Sequence, residues 1–222
     1  MKLYLTKTPS ILINSFSGYT WRFATDKKEL YLTFDDGPIP EITEFVLDTL
    51  QQYNAKATFF CIGENIDKHP DIFKRILNEG HAVGNHTYNH LNGWKTDSFN
   101  YIENTQKTEQ TLGDFRKLQN QTTEESLQDA KLFRPPYGKI KSRQAKELQK
   151  LGYKIIMWDV LSADFDTSVS KEQCLKNVTR NVQGGSIIVF HDSIKAFERL
   201  QYALPKVLTY FSEEGFTFKR ID

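Results

Sequence analysis

The sequence predicts an α/β fold with a parallel sheet, on three observations. Short apolar runs rich in β-branched and aromatic residues alternate with segments of helical periodicity along most of the chain. The runs are continuous rather than alternating, as in strands buried on both faces. At 222 residues, 39% hydrophobic and 26% charged, the chain can fill one core and is short for two, so a single domain over residues 1–222 is expected. This alternation fits a doubly wound sheet or a barrel. The length falls below the roughly 250 residues of a full eight-unit barrel, so a barrel here would be incomplete.

Each element has a local reason. ELYLTF, KATFFCI, YKIIMWDV, SIIVFH and FTFKRI are the main strand candidates, with HAVG at 81 and KLFR at 131 as shorter ones. The first helix, over 41–53, has Ile42, Phe45, Val46 and Leu50 on one face. The second, over 70–79, opens on Pro70, carries Ile72, Phe73, Ile76 and Leu77 as its stripe, and can end at Gly80. Further helices fit 98–119, 141–151, 170–182 and 201–213, the last placed to keep Pro205 in its first turn. The polar stretch 115–130 reads as a surface connection. Within residues 1–29, YTWRF could pair with ELYLTF as an N-terminal strand extension closing the barrel bottom.

Composition excludes some functions. A formal net charge of +1, with no basic stripe or acidic tail, gives no electrostatic case for nucleic acid or an anionic membrane. Cys61 and Cys174 lie far apart, outside any CxxC pair, and read as buried free thiols. The first sixteen residues are interrupted by Thr, Pro, Ser and Asn, which suits neither a signal peptide nor a membrane span. The chain as given is therefore expected to be cytoplasmic, or exported if a leader was removed.

Sites in such folds form at the carboxyl ends of the strands. After the first strand comes TFDDGP, with Asp35 and Asp36 adjacent, and two neighbouring carboxylates need a compensating cation. After HAVG comes HTYNH, whose His86 and His90 are spaced to share one side of a helical turn and hence a metal ion. FRPPYG supplies Arg134 on a rigid Pro-Pro path, LSADF supplies Asp164, and SIIVFHD supplies His191 followed by Asp192. Each alone also reads as an ordinary turn, cap or packing residue. Together, along five strand ends, they are a full set for metal-assisted hydrolysis.

In this order and spacing TFDDGP, HTYNH, RPPYG, SADF and IIVFHD resemble the motifs of the polysaccharide deacetylases, carbohydrate esterase family four, from about residue 30 to the C-terminus. The resemblance implies a distorted, incomplete (β/α) barrel of about seven parallel strands with outer helices. It implies a hydrolase removing N-acetyl groups from N-acetylglucosamine-type residues of a glycan or oligosaccharide by metal-activated water. Asp36, His86 and His90 would hold one divalent metal, zinc above others, with a position left open for water. Asp35 would be the base, oriented by Arg134, and His191 the acid, oriented by Asp164. The Tyr137 backbone N–H would stabilise the oxyanion.

The chain departs from the family pattern in two motifs. Leu161 stands where the fourth motif has its first Asp and Phe165 where it has Trp, while Val189 replaces a Leu lining the acetyl-methyl pocket. An altered substrate preference is the expectation. Tyr88, Trp94, Tyr137, Trp158 and Phe165 fall in or near the motif loops, and Tyr137 and Phe165 are the candidates for the pocket wall against a sugar. Alternative readings are a non-catalytic carbohydrate-binding domain of the same fold and a hydrolase of small non-peptide amides.

Overall fold

The computed structural model describes residues 4–119 and 131–222. Its centre is a parallel sheet of β1 (Glu29–Asp35), β2 (Ala57–Cys61), β3 (Ala82–Asn85), β4 (Lys131–Phe133), β5 (Tyr153–Ile155), β6 (Val160–Leu161) and β7 (Ile187–His191). They run in the order β5-β4-β3-β2-β1-β7-β6, and a short β8 (Thr217–Phe218) pairs with the start of β1. The sheet curls into a half-barrel surrounded by helices.

The register of β1 decides which residues meet. Leu30, Leu32 and Phe34 point outward into a core shared with Val46, Leu50, Leu204 and Leu208 of the covering helices. Period two sends Thr33 and Asp35 to the opposite face, and Asp35 lies beside Phe60 of β2 and His191 of β7. Phe60, Leu132, Ile156, Ile187 and Ile221 fill the inside of the barrel. The floor is apolar and the rim is polar.

The helices are α1 (Ser10–Ser15), α2 (Ile42–Gln52), α3 (Gly63–Lys68), α4 (Pro70–Asn78), α5 (Ser98–Gln119), α6 (Ser142–Lys150), α7 (Lys171–Thr179) and α8 (Phe197–Glu213). Of the polar stretch 115–130, residues 115–119 continue α5 and residues 120–130 lie outside the described residues. The two short helices α1 and α3 carry no periodic stripe long enough to be read from sequence. Among the described residues no helix is long and apolar enough to cross a membrane.

Three expectations are corrected. The run YKIIMWDV is two strands, with β5 pairing β4 and β6 pairing β7. Between them only Ile156 N still donates to β4 and Asp159 N to β7, while Arg134 Nε and Nη2 donate to the carbonyls of Ile156 and Met157, and Met157 N donates to the Thr20 carbonyl. Helix α8 starts at Phe197 and keeps Pro205 in its interior. The lost bond would have gone to exposed Gln201, where water can serve the carbonyl, while burial of Leu200, Ala203, Leu204, Val207 and Leu208 opposes the roughly 3 kcal/mol cost. Residues 19–23 do not pair with β1, whose neighbours are β2, β7 and, at its start, β8. They bridge the open side instead, Thr20 to Ile156 and Arg22 to Ser186, while Lys7 bridges to Val160.

Candidate active site

Five strand ends converge on one cavity of about 480 Å³. Asp35 ends β1, and Asp36 follows it with φ 88°, a turn that sends the two side chains in different directions. Asp192 fixes this turn from β7. Its Oδ1 accepts from Gly37 N at 3.0 Å, its Oδ2 from the Thr43 hydroxyl at 2.6 Å, and its own N–H donates to Asp35 O at 3.0 Å. A Cβ on Gly37 would lie 1.9 Å from Asp192 Oδ2, so only glycine fits. Burial, reinforced by Asp36, pushes Asp192 up to about 8 against these bonds.

His86 and His90 do converge, but not on a helix. Residues 86–90 form a loop after β3 with Thr87 at φ 62° and His90 at φ 54°. Side-chain bonds hold it: Asn85 Oδ1 accepts from Thr87 N, Asn104 Oδ1 from the N–H groups of Tyr88 and Asn89, and Thr87 Oγ1 from Leu91 N. These local bonds replace the helical ladder.

The outcome is a cradle. His86 Nε2 lies 3.8 Å and His90 Nε2 3.2 Å from Asp36 Oδ1, and one donor atom from each of the three residues falls within 4.8 Å of the others. Asp36 Oδ1 is buried and accepts no hydrogen bond from any described residue. His86 Nδ1 is 2.7 Å from the Arg134 carbonyl, which assigns the proton to Nδ1 and turns the Nε2 lone pair inward. Burial lowers both imidazoles below the ordinary histidine value, aided at His86 by His90 and opposed at His90 by the Asp36 and Asp35 carboxylates. Neutral imidazoles and an unsatisfied carboxylate oxygen facing one point fit a divalent cation.

Arg134 and Asp164 stand behind the cavity wall and each holds one group that lines it. The fully buried Arg134 donates from Nη1 to Asp35 Oδ1 at 2.7 Å and to the Thr33 hydroxyl at 2.6 Å, over the Phe60 ring. Burial pulls the guanidinium down and Asp35 opposes it. On the other side Asp164 Oδ1 is 2.8 Å from His191 Nδ1, and Asp164 Oδ2 accepts from His191 N at 2.7 Å. Arg199 Nε donates to the Asp164 carbonyl at 2.6 Å. Burial of His191 works against its charge, but Asp164 outweighs it and holds the imidazole up to about 9. At neutral pH the cavity thus holds a charged histidine at one end and neutral ones at the other.

Of the remaining sequence candidates, Tyr137, Trp158, Leu161, Phe165 and Val189 also line the cavity. Tyr137 sits at φ 60° in the PPYG turn with its ring 4.6 Å from that of His90. Phe165 packs edge-on to His191 at 5.1 Å, and Val189 and Leu161 complete the apolar side. Trp158 faces in as well, wedged against Gly138, where a Cβ would meet the indole at 2.6 Å. Trp94 and Tyr88 are not part of this lining.

Sequence reading missed Tyr4, Ile39, Ser193, Ile194 and Lys195, which also line the cavity. It also gave Asp192 no role. The FHDS stretch offered a signal for Asp192, a second acid directly after a strand end. Nothing local points to Tyr4, which reaches the wall through an edge contact with Phe165 at 5.2 Å and a hydroxyl bond to Asp166.

A carboxylate held by a buried arginine, an imidazole held by a buried carboxylate and a three-donor cradle have the parts of a hydrolase site. The chain belongs to the polysaccharide deacetylase family, whose sequence profile matches residues 23–156. These are carbohydrate esterase family 4 hydrolases acting on N-acetyl amide bonds. The chain is 35% identical over 206 residues to a peptidoglycan-N-acetylglucosamine deacetylase of Bacillus cereus, covering 91% of each. In three dimensions it is similar to the crystal structure of the Bc1960 peptidoglycan N-acetylglucosamine deacetylase in complex with 4-naphthalen-1-yl-N-oxidanyl-benzamide. The TM-score is 0.83 at 35% identity, over 96% of this chain and 95% of that one. It is also similar to BA3943 of Bacillus anthracis, a CE4 family pseudoenzyme, with a TM-score of 0.76 at 25% identity over 90% of this chain and 66% of that one.

Proposed function

We propose that this chain removes N-acetyl groups from N-acetylglucosamine-type residues of a glycan or oligosaccharide, with zinc held by Asp36, His86 and His90. The observation that carries the reading is the pair of oppositely partnered groups, Asp35 with Arg134 and His191 with Asp164, facing one cavity from either side of the cradle. Bound there, a divalent ion supplies Lewis-acid polarisation of the amide carbonyl and brings the pKa of water from 15.7 toward about 7.

The chain's own residues do the rest. Asp35 takes the proton from the attacking water, and Arg134 fixes the oxygen that does so by holding the other lone pairs of the carboxyl group. The Tyr137 N–H donates to the tetrahedral oxyanion, a contribution typically worth about 2.7–4 kcal/mol per donor. His191, charged below about pH 9, gives its Nε2 proton to the departing sugar amine, which leaves poorly without one. Phe165, Val189 and Leu161 offer an apolar wall to the acetyl methyl and sugar face.

A fold of this kind can outlive its chemistry, as the neighbouring pseudoenzyme indicates. In this chain the base, the acid and the three donors are all present, which supports turnover over a binding-only role. The test is acetate release from N-acetylated chitooligosaccharides and peptidoglycan fragments before chelation, after it, and with zinc restored. The reading expects release that stops with the chelator and returns with zinc. No release from any of these substrates by zinc-loaded protein would refute it.

A further inference from the structure

A second cavity, a groove of about 470 Å³, adjoins the first, and Tyr4, Tyr137, Gly138, Trp158 and Leu161 line both. Tyr137 and Gly138 belong to the turn after β4, and Trp158 and Leu161 to the stretch that runs into β6. Tyr4 comes from the N-terminal segment, far from every motif in sequence.

That segment is a strap laid along β6. Lys7 bridges to Val160 in antiparallel fashion, Leu161 N donates to the Thr6 carbonyl at 2.9 Å, and Thr8 donates from its N–H and hydroxyl to the Asp159 and Trp158 carbonyls. Its latch is an ion pair: Lys7 Nζ lies 2.6 Å from Oδ2 of the fully buried Asp159 and donates to the Asn181 carbonyl at 2.8 Å. Lifting Lys7 would leave a buried carboxylate without its cation, so the strap stays down. At its end the Tyr4 ring meets Phe165 edge-on at 5.2 Å and the Tyr4 hydroxyl donates to Asp166 Oδ2. Tied at ring and hydroxyl, the side chain is a fixed wall.

We propose that Tyr4 sets the length of the acyl group this site removes, admitting acetyl and stopping longer chains short of the groove behind it. This role rests on the deacetylase reading and adds to it a specificity-determining residue outside the motifs. The catalytic cavity is charged at its cradle, at Asp35 and at His191, whereas Tyr4, Leu161, Phe165 and Val189 share its apolar side. An amide whose carbonyl faces the cradle turns its acyl carbons to that side, because a methyl gains from burial there and not among charges. Any carbon beyond the methyl then runs toward Phe165, Leu161 and the Tyr4 ring that backs them. Among the described residues no Asp, Glu, Lys, Arg or His lines the groove on the far side of Tyr4. Additional methylenes are thus barred by one ring, not by a lack of apolar space.

The test measures kcat/KM and Kd for the same chitooligosaccharide carrying N-acetyl, N-propionyl or N-butyryl groups, with zinc-loaded wild type and the Tyr4→Ala and Tyr4→Phe variants. Its readout is the acetyl-to-butyryl ratio, from which a general loss of activity in a variant cancels. At roughly tenfold or more per methylene, the wild type should prefer acetyl to butyryl by about 100-fold or more. Tyr4→Ala should lower that ratio about tenfold by opening the groove to the chain, with propionyl in between. Tyr4→Phe keeps the ring and loses only the bond to Asp166, so its ratio should stay within about threefold of wild type. A ratio unchanged in Tyr4→Ala, or a wild type that takes butyryl as readily as acetyl, would overturn the role of Tyr4. No acyl release from any substrate by the wild type would refute the deacetylase reading instead, and the ratio of dissociation constants would then decide on Tyr4 by the same criteria.

Discussion

The two adjoining cavities are nearly equal in volume, about 480 and 470 Å³, and opposite in chemistry. In the first, the groups assigned to the chemistry are partnered: Asp35 has Arg134, His191 has Asp164, and Asp36 faces two imidazoles. Among the described residues no charged side chain lines the second, and its Trp94, Tyr137 and Phe16 rings stand half open. The difference teaches how one cleft divides its work. Bond-breaking needs protons and charges fixed to fractions of an ångström, which only buried hydrogen-bonded pairs can do. An uncharged wall of aromatic rings fixes no proton and offers contact area alone.

This division can be broken at several points, beginning with the largest effects. His86→Ala removes one of three donors and should reduce activity to background with loss of stoichiometric zinc, checked by metal analysis after dialysis. Arg134→Ala leaves the Asp35 carboxyl buried without its cation and should lower stability by roughly 3–5 kcal/mol, read by denaturant unfolding. A loss below about 1 kcal/mol would mean that water replaces the guanidinium and that Asp35 is not held by it.

Asp164→Asn tests the acid side through pH. His191 is held up to about 9 against an ordinary 6.5, so its charged form is favoured by folding. That stabilisation is complete below about pH 6.5 and is lost as pH rises toward and through about 9. The wild type should show an alkaline limb of kcat near pH 9 and a fall in stability across the same window. The Asn variant should move the limb toward pH 6.5 and flatten the stability slope. Phe165→Ala should have the smallest effect, raising KM about fivefold with little change in kcat, because it removes wall rather than chemistry.

The same contrast governs what the sequence made legible. The charged cavity was readable because its groups sit at strand ends in short local patterns. Asp35 and Asp36 lie before a Gly-Pro turn, two His are four apart, and Arg134 precedes Pro-Pro. What joins these groups to one another was carried by the family resemblance, since Arg134 lies 99 residues from Asp35. The groove was not legible. Its walls bring Tyr4 to Asp166, 162 residues away, and residues 16–21 to Trp158 and Trp94, contacts with no periodicity.

The errors in secondary structure have the same origin. The run at 153–160 is mostly apolar, but its middle gives only Ile156 N to β4 and Asp159 N to β7, and the Ile156 and Met157 carbonyls and Met157 N turn to Arg134 and Thr20. Periodicity reports burial, not which backbone supplies the partner. The i, i+4 spacing of His86 and His90 points to two imidazoles that do converge, but by another geometry. A loop tied down by Asn85, Thr87 and Asn104 brings them together where a helix was expected. Confining Pro205 to the first turn of a helix over 201–213 counts only its local cost, which the burial of α8 along its whole length outweighs.

The most direct test of the central claim is Asp35→Asn, assayed for bound zinc and for acetate release from a chitooligosaccharide on the same sample. The account predicts full zinc occupancy, because the cradle of Asp36, His86 and His90 is untouched, with acetate release lowered by about 10²–10⁴. Acetate release at the wild-type rate from the zinc-loaded variant would contradict it, since the proton would then be taken by another group.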